Sequence, residues 1–357
     1  MNFTDNVVQW YHKNRRDLPW RNTADPYVIW LSEIILQQTR VEQGMPYFYR
    51  FLEAYPTVTH FANATEDEIL KLWQGLGYYS RGRNMLKTAQ LVQLKYNGIF
   101  PDRYDELIAL KGIGQYTAAA ISSFAANQAK AVVDGNVSRV IARYMGITEP
   151  INSTAGKKLF QQLADELLNK QQPGTHNQAM MEFGALQCKP KSPNCGICPL
   201  LETCFAFNHN KVGSLPVKLK TVKIRNRYFN YFLITEGDTV LLNKRGDNDI
   251  WANMYDLPLI ETPELYSAEQ LFSSADIIST FGIIPEIISI SPLQKHILTH
   301  QHIYARFYFI YLKENKISLK STMFFKKAEI LHKLALPKMI FIFLNNFLNS
   351  KIKFTPN

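Results

Sequence analysis

All four cysteines of this chain fall within seventeen residues, in the stretch CKPKSPNCGICPLLETC from Cys188 to Cys204. A loop that gathers Cys188, Cys195, Cys198 and Cys204 with gaps of six, two and five residues can wrap around a compact metal centre. Soft thiolates at such gaps suit zinc or an iron–sulfur cluster. Zinc sites usually show two short pairs, and here only Cys195 and Cys198 form one, so the spacing leans toward [4Fe–4S] without deciding the metal. Four ordinary buried cysteines are the plainer alternative. The opening MNFTDNVVQWYHKNRRDLPW has no basic-then-apolar leader pattern, and no apolar run reaches membrane length. A cytoplasmic compartment is therefore expected, where clustered thiols hold metal more often than they pair with one another.

The 357 residues exceed what one core usually holds, so two domains are expected. Apolar spacing is helical from residue 3 to about 187. NATEDEILKLW offers a capping box of Thr65 with Glu68 ahead of Ile69, Leu70 and Trp73. After a linker at 208–226 the period changes. RYFNYFLITEGDTVLLNKRG holds two strand-like segments around Glu236-Gly237-Asp238, QHIYARFYFIYL alternates like a strand, and MIFIFLNNFL reads as a closing amphipathic helix. The expected organisation is an all-α domain over 1–187, a cysteine loop over 188–207, the linker, and an α+β domain over 227–350.

Residues 1–224 carry 25 Lys and Arg against 18 Asp and Glu, and the whole chain has a formal charge of +10. That balance favours a polyanionic partner such as nucleic acid, although many basic proteins have none. LKGIGQYTA supplies a more specific signal. Gly112 and Gly114 flank Ile113 between two helical runs, a tight turn whose amides can face a phosphate oxygen, as in a helix–hairpin–helix. An ordinary glycine-rich helix connection explains the turn equally well. Asp134 follows in VVDGNVSRV, where an aspartate is usually an N-cap. Glu33, in WLSEIILQQT, is a carboxylate inside an apolar helical stretch. On spacing alone it is more simply a surface glutamate.

Eight motifs in order, LPWR, PYVIWLSEIILQQTRV, PYFYRFLEAYPTV, LWQGLGYYSRGRN, LKGIGQYTA, DGNVSRV, NQAMMEFGAL and the cysteine knot, resemble the endonuclease III superfamily of DNA glycosylases, and within it the MutY family. The resemblance covers most of the first 205 residues. It implies a helix–hairpin–helix glycosylase domain, one [4Fe–4S] cluster on Cys188, Cys195, Cys198 and Cys204, and no nucleotide cofactor. It also implies hydrolysis of the N-glycosidic bond of adenine mispaired with 8-oxoguanine or guanine in duplex DNA. Glu33 matches the family's catalytic glutamate, expected to protonate adenine N7, with Trp30, Ile34 and Ile35 desolvating it. Asp134 is expected to stabilise the oxocarbenium-like sugar, and Tyr116 and Asn136 to hold these groups in place. Tyr116 stands where strand-cleaving relatives have a lysine nucleophile, so lyase activity should be weak or absent.

By the same resemblance Trp20, Arg21 and Gln178 line the adenine pocket. Gln38, Thr39, Leu76 and Tyr78 act at the lesion while the base is extruded. For Tyr78 taken by itself, a core aromatic is the simpler reading. The second domain resembles a MutT-like, Nudix-like domain on VLLNKRGDNDIWANMYDLPLIE and KHILTHQHIYARF. It lacks the glutamate-rich REXXEE helix of Nudix hydrolases, so it should read a base and hydrolyse nothing. Thr299 and His300 match the family's 8-oxoguanine-reading loop, in which Leu298 replaces an aromatic. A monomer is expected, with replication or mismatch-repair proteins as further partners and a place at the nucleoid if the source is bacterial. Two competing readings are a DNA-binding protein without catalysis, opposed by Glu33 and Asp134, and a pyrimidine-damage lyase, opposed by Tyr116.

Overall fold

A computed structural model describes residues 2–219, 223–311 and 321–349. Among these, twelve α-helices precede the first strand. They are α1 (Phe3–Asn14), α2 (Pro26–Ile35), α3 (Val41–Ala54), α4 (Val58–Ala62), α5 (Glu66–Leu72) and α6 (Ser80–Tyr96). There follow α7 (Tyr104–Ile108), α8 (Gln115–Ala126), α9 (Gly135–Met145), α10 (Thr154–Leu167), α11 (Pro173–Leu186) and α12 (Phe205–Asn208). The helical period of the sequence is thus realised, and none of these helices is long and apolar enough to cross a membrane.

Packing divides the chain into two compact units. One is Met1–Ala64 with Asn84–Lys220; the other is Thr65–Arg83 with Thr221–Asn357. In the first unit, Val7 and Tyr11 of α1, Val140 and Ile141 of α9, Phe160 of α10 and Phe183 of α11 form one fully buried core. Trp30, Phe51, Phe61 and Phe100 interlock in another aromatic cluster, which fixes the buried face of α2. The chain after α12 stays on this unit. Ile151 donates to the Val217 carbonyl at 3.0 Å, and Asn152 hydrogen-bonds both ways with Leu219. Much of the expected linker is therefore pinned rather than free.

Among the described residues the second unit has nine strands: β1 (Arg225–Leu233), β2 (Thr235–Glu236), β3 (Thr239–Lys244), β4 (Tyr255–Asp256), β5 (Leu259–Thr262), β6 (Glu286–Ile290), β7 (Gln294–Ile297), β8 (Gln301–Tyr311) and β9 (Met323–Lys327). One sheet has the order β5-β1-β8-β6, with β7 also on β8; the other is β2-β3-β4, with β9 on β3. The parallel β1·β8 pair, in register from Arg225↔Gln301 to Leu233↔Phe309, is its spine. α13 (Ala268–Phe272) and α14 (Ala275–Phe281) bury Leu271, Ile277 and Phe281 against Phe232 and Tyr308. α15 (Lys338–Asn349), the expected closing helix, stacks Phe343 on Phe307 at 3.7 Å. The capping box of Thr65 and Glu68 forms as the sequence predicts, at the start of α5.

Candidate functional site: a carboxylate cleft in the helical unit

Glu33 lies on the last turns of α2, a helix so apolar that eight of its ten residues are buried. Its neighbours Trp30, Ile34 and Ile35 are 4 % exposed or less, and Glu33 itself is 8 % exposed. Removing a carboxylate from water disfavours its charged form. Burial accordingly pushes the Glu33 carboxyl up to about 7; a hydrogen bond from Tyr116 opposes the rise, and the charge of Asp134 adds to it. The Tyr116 hydroxyl donates to Glu33 Oε2 at 2.8 Å.

Asp134 caps α9. Its Oδ1 accepts from the backbone N–H of Asn136 at 2.8 Å and of Val137 at 2.7 Å, and its Oδ2 from the Asn136 side chain at 2.8 Å. Burial raises this carboxyl above its ordinary range, while the hydrogen bonds from Val137 and Asn136 and the charge of Arg139 hold it back. The two carboxyls thus differ in kind. Asp134 is surrounded by donors that favour its charge, whereas Glu33 has one donor and an apolar wall.

Both open on a cleft of about 850 Å³ whose lining includes Trp20, Arg21, Gln38, Thr39, Tyr116, Asn136 and Gln178. Of the residues singled out in the first 205 positions, these are brought together. The Gln178 carbonyl oxygen accepts from Tyr11 at 2.6 Å, and Trp20 packs edge-on against Phe48. Gln38 is exposed, with a left-handed φ of 55°. Gly112 has φ 92°, and a Cβ there would lie 3.2 Å from Asn84 and Thr88; Gly114 caps α8, with nothing within 4 Å of its position for a Cβ.

Leu76 and Tyr78 belong to the segment that packs with the second unit. Leu76 is buried, whereas Tyr78 is 42 % exposed with φ 48°, so the core-aromatic reading does not hold for it. Thr299 and His300 form the tip of a two-residue hairpin between β7 and β8, closed by the Leu298 N–H donating to Gln301. Within this unit the hydroxyls of Tyr78 and Thr299 meet at 2.5 Å.

Sequence reasoning missed three charged side chains. Glu182, 1 % exposed, accepts bidentate pairs from both Arg16 and Arg21. Burial alone would raise its carboxyl, but the hydrogen bonds from Arg21 and Arg16 pull it down to about 2. Its one sequence signal was an acid inside the apolar run MMEFGAL. On α9, Arg139 donates to the carbonyls of Cys188 and Gly184 and to Asn136 Oδ1, while Arg143 donates to the carbonyls of Lys189, Pro190 and Leu215.

The cysteine loop ends in this same framework. Cys188 and Cys198 pack on the core, Cys188 Sγ accepts from Arg143 at 3.4 Å, and the Cys204 thiol faces the Arg143 carbonyl at 3.6 Å. Among the described residues no three His, Cys, Asp or Glu side chains are gathered as a metal-holding group. Burial first, and then the charges of Cys188, Cys204 and Cys195, raise Cys198 to about 11 against a backbone hydrogen bond from Leu200 that lowers it. Four soft donors on one loop, mutually repelling as thiolates and backed by an arginine, fit a group that would neutralise them.

Residues 31–170 match the model of the HhH-GPD superfamily of base excision DNA repair proteins, and residues 230–346 match a NUDIX domain. A protein of Buchnera aphidicola subsp. Baizongia pistaciae named adenine DNA glycosylase is 36 % identical over 322 residues, covering 89 % of this chain and 88 % of its own. The human protein of the same name is 40 % identical over 213 residues, covering 57 % of this chain and 39 % of its own. A thermostable thymine-DNA glycosylase superposes with a TM-score of 0.54 at 30 % identity, over 58 % of this chain and 95 % of that one. Endonuclease III in a non-covalent DNA complex shares the fold, with a TM-score of 0.50 at 24 % identity over 58 % and 94 %.

Proposed function

The chain belongs to the adenine DNA glycosylase family of base excision repair, and from that premise we propose that it hydrolyses the glycosidic bond of adenine paired with 8-oxoguanine, and more slowly with guanine, in duplex DNA. The observation that carries the reading is the Glu33 carboxyl, raised to about 7 by burial and lining the same cleft as Asp134. Near neutral pH such a group is partly protonated and can give its proton to N7 of the extruded adenine as the bond to the sugar stretches. The Asp134 carboxylate, kept in place by the start of α9, then offers negative charge to the oxocarbenium-like sugar. Glu33, now ionised, can take a proton from the attacking water, so the products are free adenine and an abasic site. Tyr116 orients Glu33, and Asn136 orients Asp134. No amine stands at Tyr116, so strand cleavage through a Schiff base should be weak or absent.

Trp20, Arg21 and Gln178 hold the base in the cleft. Gln38, next to Thr39, serves as the residue that enters the stack; in the other unit Tyr78, near Leu76, serves as an aromatic wedge at the opposite base, and each has a left-handed backbone. A left-handed backbone is uncommon for glutamine and tyrosine and can aim a side chain away from its element, which supports this use. Gly112 and Gly114 present the hairpin amides to a phosphate. Thr299 and His300 meet the base opposite adenine, and α13 and α14 have one acid each, Glu269 and Asp276, in their first turns, in keeping with recognition rather than pyrophosphate hydrolysis. Cys188, Cys195, Cys198 and Cys204 would hold a [4Fe–4S] cluster, whose contribution when bound is to cross-link the loop that carries Lys189 and Lys191.

Single-turnover cleavage of duplexes with adenine opposite 8-oxoguanine, guanine or cytosine tests this, with thymine glycol as the competing substrate. Adenine opposite 8-oxoguanine should be released fastest. Faster release from thymine glycol would overturn the assignment.

A further inference from the structure

The segment Thr65–Arg83 lies inside the stretch that matches a glycosylase, yet it packs with the strands of the second unit. Its first turn enters a clamp. Lys244 of β3 and Tyr255 of β4 stand directly opposite one another. Tyr255 donates to Asp67 Oδ2 at 2.7 Å, while Lys244 Nζ lies 3.1 Å from both Asp67 oxygens. The clamp is stiff. The backbone N–H of Tyr255 is tied to Ala335, its ring abuts Phe324, and the adjoining Asp256 is fully buried on Arg245 at 2.7 Å.

A second tie lies beside it. Asn253 donates to Glu66 at 2.7 Å and Arg83 donates to the Ala252 carbonyl at 3.0 Å, from a loop in which Trp251 and Asn253 both have left-handed φ. The third tie is the contact of Tyr78 with Thr299. The start of α5 does not need Asp67 as a cap, since the box of Thr65 and Glu68 already serves that end. The Asp67 side chain is spent across the unit instead.

We propose that Asp67 is a positioning residue for recognition of the base opposite adenine: gripped by Lys244 and Tyr255, it fixes the segment that carries Tyr78 relative to the hairpin that carries Thr299. The inference rests on the 8-oxoguanine reading given above. Tyr78 and Thr299 then face the opposite base as one preset pair, and losing the grip lets the wedge move independently of the hairpin.

The test combines two measurements on the full-length protein with Asp67→Ala, Tyr255→Phe and the double variant. The first is the ratio of single-turnover rates for adenine opposite 8-oxoguanine and opposite guanine. The second is amide hydrogen exchange over residues 66–79 in the free protein. Losing the partly exposed, charge-assisted grip predicts about a five-fold loss in the ratio for Asp67→Ala and a smaller loss for Tyr255→Phe, which keeps the Lys244 contact. The double variant should lose no more than Asp67→Ala, with protection falling in the same order. Unchanged protection in Asp67→Ala would overturn the clamp. Equal loss of both rates, leaving the ratio intact, would reduce Asp67 to a general stabiliser and overturn its recognition role. A wild-type ratio near one would instead sink the 8-oxoguanine reading, and the exchange data would still decide whether the clamp exists.

Discussion

Tyr116 Oη and Glu33 Oε2 stand 2.8 Å apart although 83 positions separate them in the chain. The phenol favours the charged form of the very carboxyl that the walls of α2 push toward neutrality. Glu33 is therefore poised between two protonation states, the condition a group needs if it is to donate a proton and later accept one near pH 7.

The first prediction concerns rate. Glu33→Gln keeps the shape but has no proton to give, so base release should fall by at least about 10²-fold. Duplex affinity should change little. In the parent enzyme the chemical step should decline as pH rises through about 7, and single-turnover profiles measure this directly.

Stability carries the same signature with the sign of a raised carboxyl. Below the unfolded value near 4.5, Glu33 is neutral folded or unfolded and costs nothing. As pH climbs to about 7 the folded state loses up to about 3 kcal/mol that an amide would not lose. Glu33→Gln should thus melt progressively higher than the parent between pH 4.5 and 7, the gap levelling above that. Equal melting temperatures across the range would contradict the buried carboxyl.

Glu182 behaves oppositely. Its depressed carboxyl stabilises the fold above about 4.5, and the contribution fades as pH falls toward 2. Glu182→Gln leaves Arg21 and the one-third-exposed Arg16 without their anion and should cost about 2–3 kcal/mol at pH 7. Denaturant titration at pH 7 and pH 3 should show the deficit shrinking at the lower pH.

The two hairpin glycines should separate structure from binding. Gly112→Ala forces a side chain onto φ 92° and against Asn84, so about 2 kcal/mol of stability should be lost. Gly114→Ala meets open space and should cost less, at most about 1 kcal/mol for the poorer cap on α8. If the hairpin amides meet a phosphate as proposed, the added methyl group would crowd that approach, weakening duplex binding about ten-fold.

What the sequence made legible was mostly local. The cap at Asp134, the box at Thr65 and Glu68, the change of period near 225 and the apolar setting of Glu33 all depend on neighbours a few residues away. The pairing of Glu182 with Arg21 spans 161 positions, and nothing in either stretch announces the other. Arg139 and Arg143 carry no local signal of burial, yet they are 7 % and 3 % exposed and donate hydrogen bonds to backbone carbonyls near the cysteines. For Ile69, Leu70 and Trp73, helical spacing told that one face is buried but not what buries it.

That last point bears on how the molecule can be taken apart. The chain enters its second unit twice, first at Thr65–Arg83 and again after residue 220. A protease cut or stop codon between the two sequence-defined halves would separate Asp67 from Lys244 and Tyr255, and Arg83 from Ala252. Neither fragment would be an intact building block. Loss of mispair preference on such a cut would report an uncovered helix as much as a missing reader, whereas point changes at Thr299 or His300 leave that covering in place.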